Sequence, residues 1–173
     1  MGIDGDFGGD FPEPEMYTTT MHFKKGQKFS QFIADRPVNV TFDPVANMIF
    51  LRVSKHETPF SGDFDLEIVK LPIDAIDLSQ NYNEILADLA EQGLNAIHEY
   101  FAVLLWHHDE NILAPGESAL VIGDVLEQAM MGKHIFSISH TEAGGYCKYV
   151  SVTEDNRVNL HHPTQWIIAA KQK

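Results

Sequence analysis

Lysine and arginine are absent from the stretch between Lys70 and Lys133. The same stretch contains eleven acidic residues, namely Asp74, Asp77, Glu84, Asp88, Glu91, Glu99, Asp109, Glu110, Glu117, Asp124 and Glu127. A surface of one negative sign repels the phosphates of nucleic acids and the anionic face of membranes. We therefore expect neither nucleic acid nor membrane as a partner. We expect other protein subunits, including basic ones, and a homo-oligomer.

Cysteine is nearly absent too. The single cysteine, Cys147, leaves no internal disulfide framework, which favours a reducing compartment. Residues 100–106 form the longest apolar run of the helical region, far too short for a membrane span, and residues 1–16 lack the apolar segment of a signal peptide. We expect a cytoplasmic protein, or a virion protein if the source is viral.

What is present has ordinary globular composition, with 44% apolar and 21% charged residues and a net charge of −13. Residues 1–16 are rich in glycine and acids, which predicts a flexible acidic arm. Phe7 and Phe11 interrupt that pattern, so we expect the arm to insert them into another subunit, the alternative being a disordered tail. Residues 17–173 are predicted to form a single α+β domain.

Alternating apolar and polar residues predict strands. The segments are 17–23, 38–42, 48–53, 64–71, 134–141, 146–153, 158–160 and 166–170. Segments 38–42 and 48–53 are predicted to pair as a hairpin around the turn 43–47. The pair 134–141 and 146–153 is the clearest hairpin, with Glu142-Ala143-Gly144-Gly145 as its turn. Residues 29–33 are predicted to form a short helical turn.

Two longer helices are predicted, from Tyr82 to about Trp106 and from Ala119 to Met131, the second also readable as a strand followed by a helix. The expected fold is an antiparallel sheet, built from N- and C-terminal strands, that packs against these two helices. The expected core residues are Val40, Phe42, Ile49, Leu51, Phe64, Leu66, Ile68, Ile85, Leu89, Ile97, Phe101, Leu104, Val121, Val125, Ile135, Ile138, Val150 and Val152.

The longer helix is predicted to carry an acidic face. At about 100° per residue, the acids fall opposite the apolar sector, together with a tryptophan at the C-terminal end. An exposed tryptophan is typical of a binding surface, although an earlier helix end would bury it under the next loop. The predicted partner-binding residues are Phe7, Phe11, Glu84, Asp88, Glu91, Glu99 and Trp106.

The nine histidines raise the question of a metal site or a hydrolase. His98 has no second histidine four residues on, so the zinc-protease helix motif is absent. His107 and His108 precede two acids and resemble a surface cluster at a helix end. His56-Glu57-Thr58 and His162-Pro163-Thr164 resemble the paired motifs of two-histidine phosphoesterases, but Pro163 would interrupt the strand that this motif requires.

Cys147 lies in a predicted strand with His134 and His140 on the neighbouring one, an arrangement that could serve a thiol nucleophile but more often holds a core cysteine. No phosphate-binding glycine loop is present. Lys24, Lys25 and Lys28 form a small basic patch that could pair with the acidic arm or helix of another subunit. We therefore expect no catalytic residue, no metal ligand and no cofactor.

Three hypotheses follow from these features. The first is a non-enzymatic interaction protein, either an assembly or accessory subunit of viral-particle type or an inhibitor or immunity protein. The second is a small hydrolase, metal-dependent or of two-histidine type, in which His56 and His162, or His107 and His108, converge in a pocket. The third is a mimic of nucleic acid, for which the excess of acids is modest.

Overall fold

The computed structural model describes residues 17–55, 63–128, 132–160 and 162–172. The described helices are α1 (Phe29–Ala34), α2 (Pro44–Lys55), α3 (Tyr82–Glu91), α4 (Glu99–Ala102) and α5 (Leu105–His108), with a 3-10 turn at Ile73–Ala75. The described strands are β1 (Tyr17–Phe23), β2 (Val40–Phe42), β3 (Phe64–Pro72), β4 (Leu94–Asn95), β5 (Ser118–Gln128), β6 (Gly132–Thr141), β7 (Gly144–Val152) and β8 (Trp166–Lys171). The predicted arm over residues 1–16 lies outside these ranges. None of the described helices is long and apolar enough to cross a membrane.

All described strands belong to one sheet, in the order β1-β3-β8-β5-β6-β7-β2, and β4 pairs with β8. The α+β class is confirmed, but the expectation of an antiparallel sheet is only partly met. The pairs β2–β7 and β5–β8 are parallel, whereas the other strand pairs are antiparallel. The sheet is therefore mixed.

Helices cover both faces of this sheet, because its central strands bury side chains on both sides. On β8, Ile168 belongs to a core cluster with α1, α2, α4 and α5, and its neighbour Ile167 belongs to a cluster with α3. We call the first side the four-helix face and the second the α3 face. The four-helix face holds most of the aromatic core, including Phe23, Phe29 and Phe101.

The predicted C-terminal hairpin is confirmed, with β6 and β7 paired along their whole length. The turn is tighter than predicted, since Thr141 already pairs with Gly144. Gly144 has φ +115°, and a Cβ at this position would lie 2.5 Å from the Asn39 carbonyl oxygen, so a side chain is excluded there. Residues 158–160 make only an isolated bridge, between Val158 and Val152.

The prediction of one helix from residue 82 to about 106 is wrong, because the observed helix, α3, ends at Glu91. Gly93 has φ +78°, the left-handed conformation that closes a helix at its C-terminus. Residues 94–97 then lie between two strands of the sheet. Leu94 and Asn95 pair with β8, and the Ile97 N–H donates to the Ile122 carbonyl of β5 at 2.8 Å. The chain thereby passes from the α3 face to α4 on the opposite face.

The predicted helix from Ala119 to Met131 is also wrong in its described part, which is strand β5; of the alternative, a strand followed by a helix, only the strand is observed in that part. Ala119, Leu120, Val121 and Ile122 are all fully buried, alternately against the two core clusters. A strand buried on both faces reads as a continuous apolar run, which periodicity does not distinguish from a buried helix.

The predicted strand over residues 48–53 belongs instead to helix α2, so the hairpin predicted with 38–42 does not form. Asp43 starts this helix, because its Oδ1 accepts the Ala46 N–H at 2.8 Å, and Pro44 occupies the first helical position. Strand β2 pairs with β7 instead. Leu51, predicted in the core, lies on the outer side of α2 with 48% exposure. The other predicted core residues are buried or partly buried.

Candidate interaction surfaces

A groove of about 700 Å³ lies where β1 ends and α1 begins. Its lining residues are His22, Lys24, Lys25, Gly26, Gln27, Gln31, Asp35 and Arg36. The Lys24 and Lys25 side chains are exposed, and neither forms an ion pair within the described residues. The Arg36 guanidinium lies 4.1 Å from the Phe32 ring centroid, which holds it at the rim. We call this cleft the basic groove.

Local hydrogen bonds fix the loop that carries the basic groove. The Gln27 N–H donates to the Lys24 carbonyl at 3.0 Å, and the Lys24 N–H donates to Gln27 Oε1 at 3.0 Å. The Lys28 N–H donates to Gln31 Oε1 at 2.9 Å, which caps the start of α1. Lys24 takes part in these bonds only through its backbone, and Lys25 takes no part in them. The ammonium groups of both side chains are therefore available to a ligand or partner.

Helix α2 extends the same positive charge. Arg52 and Lys55 are exposed near its C-terminal end, where cations also suit the helix dipole. Met48 and Leu51 are among the largest exposed apolar side chains of the described residues. Residues 17–55 hold half of the twelve basic residues of the chain, against Asp35 and Asp43 alone. The outer surface formed by residues 17–55, which include α1 and α2, is therefore basic in a strongly acidic protein.

The surface around α3 carries negative charge. Residues 73–91 carry Asp74, Asp77, Glu84, Asp88 and Glu91 and no basic residue. Glu84 and Glu91 are exposed, and Asp88 is half-buried and accepts a bond from Gln80 Nε2 at 2.8 Å. The Ser79 hydroxyl and N–H both donate to Asp77, and they lower the pKa of that carboxyl. It therefore stays charged at neutral pH.

The predicted partner-binding residues separate in the structure. Phe7 and Phe11 lie outside the described residues. Glu84, Asp88 and Glu91 share α3, as expected, but Glu99 lies on α4, on the other side of the sheet. The single continuous acidic face predicted for these four residues is therefore wrong, because the helix ends before the chain crosses the sheet.

Trp106 is not exposed either. It is 3% exposed, its ring lies 5.6 Å from that of His140, and its Nε1–H donates to the Tyr146 carbonyl at 3.4 Å. A Cβ on Gly145 would come within 2.8 Å of the indole, so this glycine makes room for it. The alternative of an earlier helix end and a buried indole is the arrangement observed, and the expectation of Trp106 on a binding surface is corrected.

The histidines that the structure describes lie in different local environments. His98 caps α4, with its Nδ1 accepting the Tyr100 N–H at 3.2 Å. His107 is buried and stacks on Phe50 at 5.4 Å, and burial lowers its pKa. His162 is exposed, and His56 lies outside the described residues, so their convergence stays a prediction. Within the described ranges, no three His, Cys, Asp or Glu side chains are arranged to hold a metal ion.

Cys147 lies in the core of the four-helix face and is 1% exposed. Burial raises the pKa of its thiol, and the negative charge of Asp43 raises it further. A nucleophilic cysteine needs the opposite shift. The structure therefore gives Cys147 the environment of a core residue.

Comparison with protein-family models, with curated proteins and with solved structures finds no match to this chain. A proposal for its function therefore starts from the surfaces described above. Sequence reasoning recognised Lys24, Lys25 and Lys28 but did not join them to Arg36, Arg52 and Lys55. The clustering of basic residues within 17–55 was the signal that could have done so.

Proposed function

We propose that this chain is a non-enzymatic interaction protein that assembles with other protein subunits, a second copy of itself above all. One observation carries the proposal: residues 17–55, with α1 and α2, form a basic surface, and α3 on the opposite face of the sheet forms an acidic one. The basic groove and α2 lie on one side, and α3 with its acids lies on the other. Two copies can therefore associate head to tail, with the basic groove of one against the α3 acids of the next.

Such an interface joins different surfaces of the two copies, so it extends into rings or filaments rather than closing as a symmetric dimer. Charge complementarity would guide and speed association and would set its register. Met48 and Leu51 add exposed apolar area beside Arg52 and Lys55, which a purely electrostatic contact would lack. The acidic arm with Phe7 and Phe11 remains a second proposed contact.

A charge exchange between the two surfaces tests this proposal. The groove variant carries Lys24→Glu, Lys25→Glu and Arg36→Glu, and the helix variant carries Glu84→Lys, Asp88→Lys and Glu91→Lys. Mass by light scattering after size exclusion should show an oligomer for the wild type, and smaller species for each variant alone. A mixture of the two variants should recover the oligomer, because each then offers the sign that the other lacks.

The matched control reverses two exposed acids that belong neither to the basic groove nor to α3: Glu110→Lys and Glu142→Lys. It should keep the wild-type mass. A wild-type monomer at low salt, or two variants that keep the oligomer, would overturn the head-to-tail proposal. A shortened protein that starts at Met16 tests the arm. If only this protein shows a smaller native mass than the wild type, assembly depends on residues 1–15 instead.

A further inference from the structure

The α3 face of the sheet carries a patch of polar side chains near one end of β5, β6 and β7. Ser118, Ser139 and Tyr146 are register neighbours across the three strands, and Ser137 and Lys148 are paired in the adjoining row. Further along the same face, Ile135 and Val150 belong to the apolar core under α3. Polar residues at interior positions of a sheet face require partners.

Two cavities of about 360 and 440 Å³ open over this patch. Both are lined by Tyr146, Lys148 and His162, so these three residues form the boundary between them. Asn159 and Leu160 border the first cavity, and Pro163 and Gln165 border the second. Residues 159–160 and 162–165 and strand β7 therefore line one groove, of a volume that suits a small ligand.

The carboxylates of the groove are already engaged. The two Asp43 oxygens accept the N–H groups of Ala46 and Tyr149, both at 2.8 Å. Glu117 Oε2 accepts the Ala114 N–H at 2.9 Å. Gln165 Oε1 likewise accepts the Ser118 N–H at 2.8 Å. The oxygen of this side-chain amide is therefore engaged by the backbone, and its NH₂ group is the part that a ligand could bind.

The donors of the groove are not engaged. Within the described residues, the Tyr146 hydroxyl, the Lys148 ammonium and the His162 ring make no hydrogen bond or ion pair with another side chain or with the backbone. The Ser137 hydroxyl beside Lys148 is 97% buried and also has no partner. The groove therefore has unpaired donors beside one positive charge, while its two carboxylates, Asp43 and Glu117, are held by backbone N–H groups.

We propose that this groove binds a small anion with a carboxylate or phosphate group, held by the Lys148 ammonium, the Tyr146 hydroxyl and the His162 ring. Oxyanions are acceptors that can take several such donors at once, and bonds to charged groups are the stronger kind. Desolvation lowers the pKa of Lys148 more than the negative charge of Asp43 raises it, and a bound anion would further offset this cost of burying the ammonium. The site is separate from the basic groove, and it stands whether or not the chain assembles.

Titrations of the full chain, followed by ¹H–¹⁵N NMR, test the site. Inorganic phosphate and succinate are the two probes, and sodium chloride keeps the ionic strength constant. We expect saturable shifts of amides in β7 and around residues 159–165 with at least one probe, and the probe that binds more tightly tells a phosphate from a carboxylate ligand. Lys148→Met should weaken that binding about tenfold or more, and Lys148→Arg should retain most of it.

Lys171→Met is the matched control, because it removes an exposed lysine that pairs with Glu67 at 3.6 Å, and its affinity should equal that of the wild type. His162→Gln, at an exposed position, provides a second variant if Lys148→Met does not fold, and it should also weaken binding. The proposal is overturned if neither probe gives saturable shifts or if the shifts centre on Lys24 and Lys25. It is also overturned if Lys148→Met and His162→Gln both bind like the wild type.

Discussion

The two faces of the sheet differ in how completely helices cover them. On the four-helix face, aromatic rings fill the space under α1, α2, α4 and α5, and Phe23 alone contacts Phe29, Phe32 and Phe101 with centroid distances of 4.7–5.6 Å. On the other face, α3 covers the sheet with Tyr82, Ile85 and Leu89, while Tyr146 and Lys148 line a groove. The covered face supplies packing, whereas the incompletely covered face leaves polar chemistry accessible.

Truncations of one large core residue on each face should give the largest effects. Phe23→Ala should lower the free energy of unfolding by about 3–5 kcal/mol, because it leaves a cavity among rings that cannot collapse together. Leu89→Ala on α3 should cost about 2–5 kcal/mol, toward the lower end, because a single helix can shift to fill the space. Urea denaturation measures both values. A negligible cost for Leu89→Ala would contradict its assigned place in the core.

His134 is a buried polar residue on the four-helix face, and we expect its replacement by an apolar residue to stabilise the protein. The His134 side chain is fully buried, and neither ring nitrogen makes a hydrogen bond of ordinary geometry within the described residues. Burial lowers its pKa, an effect that a weak backbone contact with Gly132 and the charge of Asp43 oppose. His134→Leu should therefore raise the free energy of unfolding by about 1–3 kcal/mol at pH 7.5. A lower free energy of unfolding for the variant would show that the imidazole has a partner that stabilises it.

The same substitution has a pH dependence of known sign. The unfolded histidine takes up a proton below its ordinary pKa of about 6.5, whereas the folded one does so only at lower pH. The stability of the wild type therefore falls as the pH decreases from about 6.5 toward the folded pKa. The gain from His134→Leu should be larger at pH 5 than at pH 7.5; His107 and His108, whose pKa values burial also lowers, contribute equally to both proteins.

Substitution of Gly93 should give the smallest change in the free energy of unfolding. The sign of that change distinguishes a continuous helix over 82–106 from a helix that ends before residue 93. In a continuous helix over 82–106, Gly93→Ala would raise the free energy of unfolding by about 1 kcal/mol. In the structure, residue 93 has φ +78°, so alanine should lower it by about 1 kcal/mol instead. Gly93→Asn, which tolerates this conformation better, serves as the comparison and should lose less.

Local patterns predicted the elements whose two faces differ. The β6–β7 hairpin and strands β1 and β3 follow from alternation and turn residues, and the short helix α1 follows from the apolar spacing at Phe29 and Phe32. The failures are elements whose environment is set by distant residues. Strand β5 is apolar on both faces because the sheet is covered on both, and the apolar residues of 48–53 belong to a helix that Asp43 and Pro44 begin.

The predicted surfaces divide in the same way. Glu84, Asp88 and Glu91 were expected on one helical face and share α3, because four-residue spacing is a local property. Glu99 and Trp106 were misplaced, because a crossing of the sheet at residues 94–97 moves everything after it to the other side. The donors of the groove, Tyr146, Lys148 and His162, carry no shared sequence signal, since β7 and the segment after residue 158 meet only in the folded chain.

The sequence by itself determined the excess of negative charge, the absence of a disulfide framework, the α+β class and the hairpin, since these depend on composition and on neighbours within a few residues. Tertiary structure alone decided that the basic surface of residues 17–55 and the acids of α3 lie on opposite sides of one sheet, that Trp106 is buried against Gly145, and that Tyr146, Lys148 and His162 line one groove. The physical reason is that burial and charge proximity depend on which distant segments are brought together, and period and propensity carry no information about that.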